Sequence, residues 1–108
     1  MSLEKYRKCI DACLECVKEC KSCIGECLEG LNADDMASLI KVQTNCAAIT
    51  LLSVDFMSNG SDFVNPLCKL CAEVCIDCAV ECEKYIHLEH CKRCAIVCRK
   101  SAEEWNKV

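Results

Sequence analysis

Along most of the chain the positions that a core would claim recur at alternating steps of three and four. Residues 9, 13, 16, 20, 23 and 27 keep that register, as do 68, 71, 75, 78 and 82, and then 91, 94 and 98. A mean step of 3.5 lines one face of a helix in a bundle, whereas a strand would repeat every two residues and scatter these positions over both faces. Met36, Leu39, Gln43, Cys46, Thr50, Ser53 and Met57 continue the same register between those groups. Four helices follow. The first spans about Leu3 to Leu28 and stops at Gly30, read as a left-handed C-terminal cap. Asn32, with Asp35 three residues on, offers an N-cap for a second helix from about Ala33 to Ser58, ended by Asn59-Gly60. The third starts near Ser61 or at Asn65-Pro66 and reaches about Tyr85, and the fourth covers about Leu88 to Asn106. Short connections make neighbours antiparallel, which predicts an all-α, up-down-up-down four-helix bundle built as one domain over residues 1–108.

What fills the register is sulfur. All fifteen cysteines fall on it or beside it: Cys9, Cys13, Cys16, Cys20, Cys23, Cys27, Cys46, Cys68, Cys71, Cys75, Cys78, Cys82, Cys91, Cys94 and Cys98. The pattern is also repeated, since Cys68-Lys-Leu-Cys71-Ala-Glu-Val-Cys75 and Cys91-Lys-Arg-Cys94-Ala-Ile-Val-Cys98 agree at six of eight positions. Neighbouring Cβ atoms along a helix stand about 5–6 Å apart, too far for the roughly 3.8 Å of a disulfide. The ladders therefore predict reduced thiols facing inward. Beside them Ile10, Leu14, Val17, Ile24, Leu28 and Leu31 make a second apolar seam on the first helix, and the second helix is apolar nearly all round. A helix apolar on every side is buried on every side, which in a four-helix monomer predicts a homo-oligomer.

Composition narrows the function. The formal charge of −4 disfavours nucleic acid and anionic membranes. No apolar run approaches the roughly 18–20 residues of a membrane span, and Met1 to Lys8 shows no signal-peptide pattern, so a cytoplasmic chain is expected. In that compartment a thiol-rich chain points to metal or to redox chemistry rather than to a disulfide scaffold. His87 and His90 are the two histidines, and neither has a nucleophile outside the ladders; no catalytic constellation emerges and an enzyme is not expected.

Soft thiolates select Cu(I), zinc or iron–sulfur clusters. Zinc sites close on four ligands, usually from two separate C-x2-C pairs, and no isolated quartet stands out here. The bacterial ferredoxin run C-x2-C-x2-C-x3-C-P is absent, as no cysteine is followed by proline. Each Cu(I) that replaces a thiol proton leaves the net charge of a buried core unchanged, whereas buried zinc tetrathiolates would each add two negative charges. No lysine or arginine stands on the ladders to offset them, so multiple Cu(I) ions fit best. The alternatives are an iron–sulfur or other redox protein, or a zinc buffer.

The six-cysteine run Cys9 to Cys27, the run Cys68 to Cys82 and His90-Cys91-x2-Cys94-x3-Cys98 together resemble the bacterial cytosolic copper storage proteins over nearly the whole chain. The resemblance implies a four-helix bundle that stores many Cu(I) ions on inward thiols and assembles as a tetramer. Leu39, Thr50, Ser101 and Trp105 stand where relatives can carry cysteine, which implies a lower capacity. Tracing the antiparallel topology places Met36, His87, His90, Cys27, Cys82 and Cys91 at one pole. Met36 and His87 are expected in the inward register there. Tyr6, Met57, Val64 and Trp105 form an apolar plug at the other pole, with Cys9 and Cys68 just inside it. Metal is expected to enter at the Met36/His87/His90 pole.

Overall fold

The periodicity resolves into helices whose buried stripe is the cysteine register itself. The computed structural model describes residues 2–30 and 34–108. A short α1 (Ser2–Lys5) leads into four long helices, α2 (Arg7–Glu29), α3 (Ala37–Asn59), α4 (Val64–Glu83) and α5 (Glu89–Asn106), and no strand occurs among the described residues. Helix α2 packs on α3 and α5, and α4 packs on the same two, so α2 faces α4 and α3 faces α5 across the core. The result is a bundle of 47 × 18 × 17 Å, narrow enough that one column of side chains fills its axis. This is the up-down-up-down architecture that the register predicts.

Several boundaries differ from the sequence reading. The first helix is interrupted at Tyr6 (φ −101°, ψ 5°), whose ring packs against the core, and the Ile10 N–H resumes the ladder on the Tyr6 carbonyl at 2.8 Å. Gly30 is extended (φ −77°, ψ 161°) rather than left-handed; α2 ends instead by a bond from the Gly30 N–H to the Cys27 carbonyl at 3.3 Å. The left-handed cap is Gly60 (φ 71°, ψ 34°). There the Ser61 N–H reaches back to the Phe56 carbonyl and the Gly60 N–H to the Met57 carbonyl, the two bonds of a Schellman stop. Asn32, expected as an N-cap, lies with Leu31 and Ala33 outside the described residues. Residues 34–36 form a turn before α3 starts at Ala37. Helix α4 begins between the two expected starts, at Val64, with Pro66 inside its first turn where the missing N–H has no intrahelical acceptor to serve.

The second apolar seam of α2 is only partly buried. Ile10 and Val17 are in the core and Ile24 is half-buried, but Leu14 and Leu28 are 46% and 61% exposed, because the sulfur stripe alone faces the axis. Helix α3 also corrects an expectation: by length and composition (mean hydropathy 1.3) it is long and apolar enough to cross a membrane. In the bundle its inward face carries polar groups between its apolar ends, with Gln43, Thr50 and Ser53 fully buried beside Cys46 between Leu39 and Met57, while Leu51 and Leu52 face outward.

Candidate metal centre

Four helices deliver sulfur to one axis. Fourteen of the fifteen cysteines are buried, Cys68 is half-buried, and all fifteen are free thiols. The closest sulfur–sulfur contacts run across helices; along one helix, Cys94 and Cys98 stand 4.0 Å apart. Cys20 Sγ is 3.6 Å from Cys94 Sγ, Cys16 is 3.7 Å from Cys98, and Cys23 is 3.7 Å from Cys91, each joining α2 to α5. Cys46, the only thiol from α3, stands 3.8 Å from both Cys16 and Cys75 and so closes the ring towards α4. Two sulfurs held by one ion at about 2.3 Å in tetrahedral geometry lie roughly 3.8 Å apart, so these pairs are already at ligand spacing.

Three sets of four donors each fall within 4.8 Å of one another: Cys16–Cys20–Cys46–Cys98, Cys20–Cys78–Cys94–Cys98 and Cys23–Cys27–His90–Cys91. The first two are all-thiol, fully buried and share Cys20 and Cys98; the third is nearer the pole and carries a half-buried imidazole. His90 Nδ1 lies 3.1 Å from Cys23 Sγ and 3.6 Å from Cys91 Sγ. Met36 is buried at the same pole, and the Tyr85 hydroxyl donates to the Asp35 carbonyl at 3.3 Å, tying the two connections together. His87 departs from the expected inward register. It is exposed in the turn before α5, with its ring 6.4 Å from that of Tyr85, because α5 begins only at Glu89. At the opposite pole Trp105, Met57 and Val64 are buried as a plug, and the Cys68 thiol donates to the Trp105 carbonyl at 3.4 Å.

The electrostatics follow from burial. Burial pushes the Cys68 and Cys91 thiols up to about 11 and raises Cys27. Within the inner sets the thiols share protons. Hydrogen bonds from neighbours, first from Cys16 for Cys46 and from Cys20 for Cys94, favour these two as thiolates, and Cys20, Cys75 and Cys98 are held correspondingly high. The only buried polar residues among those described are Gln43, Thr50, Ser53 and Ser101, so no buried cation faces the sulfurs. Thr50 Oγ1 lies 3.6 Å from Cys71 Sγ and 3.7 Å from Cys75 Sγ, and Ser101 Oγ lies 3.6 Å from Cys13 Sγ. Gln43 Nε2 donates to Cys94 at 3.4 Å and to Cys82 at 3.6 Å. The register places these polar groups inward, but their contacts with sulfur depend on which helices face one another and are not readable from one helix.

A helical bundle whose axis is a column of buried free thiols defines a class: a polythiol core suited to soft metal ions. Residues 2–108 match the family model described as copper storage protein, and the chain belongs to that family. Copper storage protein 3 from Bacillus subtilis is 35% identical. It superposes with TM-scores of 0.90 in its Cu(I)-bound form and 0.88 without metal, covering 94% of this chain and 95% or 96% of the other. A cytosolic copper storage protein from Streptomyces lividans holding five coppers is 26% identical, with a TM-score of 0.93 over 98% of this chain and 92% of that one. An uncharacterised cysteine-rich protein of Bacillus subtilis, YhjQ, is 38% identical over 103 residues, covering 94% of each chain.

Proposed function

We propose that this protein stores and buffers Cu(I) in the cytoplasm, holding many ions per chain on the thiolates of its core, and that it is not an enzyme. The observation that carries the reading is a column of fourteen buried free thiols with no buried cation beside it. Such a core accepts ions only if binding adds little net charge, and one Cu(I) for each thiol proton meets that condition. Zinc held by four buried thiolates does not. All fifteen cysteines are assigned as ligands, the half-buried Cys68 among them. The Cu(I)-bound structure of one relative and the copper-loaded structure of another support the cargo.

Loading is assigned to the pole of Met36, His87 and His90, supported by the half-buried imidazole beside Cys23 and Cys91 and by the apolar plug at the other end. Thioether and imidazole serve there as exchangeable first ligands. Self-association, as a tetramer by family resemblance, is supported by the outward Leu51 and Leu52 of α3 and Leu14 of α2, exposed by 43%, 45% and 46%. Anaerobic titration against a chromogenic Cu(I) chelator tests the function: uptake of roughly 10–15 ions per chain is expected, without visible charge-transfer bands, from bridging soft thiolates. Saturation at three or four ions would defeat the storage reading.

A further inference from the structure

Helix α3 contributes one thiol to the column, Cys46, and one turn nearer the His90 pole its inward position is Gln43, with 0% exposure. Its two Nε2–H bonds to Cys94 and Cys82 leave Oε1 buried with no partner. An unpaired buried carbonyl is costly where leucine or methionine would fill the same space, so packing does not account for an amide here. Its position does. The His90-bearing set Cys23–Cys27–His90–Cys91 has no member in common with the two all-thiol sets, which share Cys20 and Cys98 with each other. Gln43 is bonded to Cys94 and Cys82 where these sets meet, Cys23 of the outer set standing beside Cys94 of the inner.

We infer that Gln43 gates the passage of Cu(I) between an outer, exchangeable set of donors at the His90 pole and the inner, all-thiol sets that retain the metal. This rests on the Cu(I) storage reading. An amide is a poor ligand for so soft an ion, so at this junction α3 offers the metal no sulfur and the passage narrows to the thiols of the other helices. Its N–H bonds to sulfur are weak enough to exchange, and its free oxygen presents the negative end of the amide dipole to a cation in transit. Leucine would close the same corner with neither property; cysteine would supply the missing sulfur.

The test is release kinetics. Native protein saturated anaerobically with Cu(I) is mixed with excess bathocuproine disulfonate in a stopped-flow instrument. A minor fast phase and a major slow phase are expected. Gln43→Leu should slow the major phase roughly 10-fold, and Gln43→Cys should accelerate it by a similar factor, within the range of changes to groups around a metal's ligands. Thermal melting of the metal-free Gln43→Leu protein should occur at or above the native temperature, because the unpaired oxygen is gone; this separates gating from a folding role. If Gln43→Cys does not fold, Gln43→Met, which supplies a thioether, carries the same expectation. Single-phase release from the native protein, slow phases unaltered by both variants, or a Gln43→Leu melt several degrees below native would overturn the gate. Native uptake of only three or four ions would instead overturn the storage reading beneath it.

Discussion

Each side chain at the loading pole has its own chemistry, and the structure ranks them. His90 has Nδ1 within 3.1 Å of a core sulfur, Met36 is buried against the core, and His87 is exposed beside Tyr85. Replacing Met36 with Leu and both histidines with Ala is expected to slow Cu(I) loading in stopped-flow while leaving capacity almost intact, since the thiols remain. His90→Ala alone should carry most of the slowing and His87→Ala little. Loading as fast as native in the triple variant would place the way in elsewhere. The histidines were legible from sequence as members of one pole, but the difference between them was not: it depends on where α5 begins, and Leu88, at its N-cap, offers no side-chain cap to mark that point.

Among the elements, the two glycines that follow α2 and α3 look alike in sequence and differ in the fold. Gly60 is left-handed, a conformation that costs an L-residue about 1–2 kcal/mol, so Gly60→Ala should lower the unfolding free energy of the metal-free protein by that amount. Gly30 is extended, and a Cβ there would lie 3.5 Å from the Cys27 carbonyl oxygen, an ordinary contact. Gly30→Ala should be neutral or stabilising by roughly 0.4–1 kcal/mol. Urea denaturation of both variants under reducing conditions checks the contrast, and equal destabilisation would contradict the assigned caps. Between helices, the paired bonds of Arg99 to Glu83 join α5 to α4 on an exposed surface, where solvent screens such a pair and it adds little. The bundle is held mainly by its core.

For the molecule as a whole, the thiols that burial holds protonated make stability depend on pH on the alkaline side. Cys68 and Cys91 are held at about 11 by burial, above the roughly 8.5 of a free thiol. Between those values the unfolded chain gives up protons that the folded chain keeps, so the folded state binds more protons and stability falls as pH rises. Melting temperatures of the reduced, metal-free protein should therefore decline from about pH 8.5 towards about pH 10.5. A flat profile over that range would show that the thiols are not buried as described. The sequence by itself determined the helices, the inward face of each and the choice of sulfur as the buried element. Steps of three and four are a local property of one helix, and fifteen cysteines on that register leave no other stripe to bury. Only the tertiary structure decided which sulfurs meet. The pairings Cys20 with Cys94, Cys46 with Cys75 and Cys23 with His90 join residues 74, 29 and 67 positions apart, and they depend on the axial offset of helices that no local pattern encodes. The same offset set Gln43 against Cys82 and Cys94 and left its oxygen unpaired, because an amide's partners lie on the neighbouring helices and not on its own.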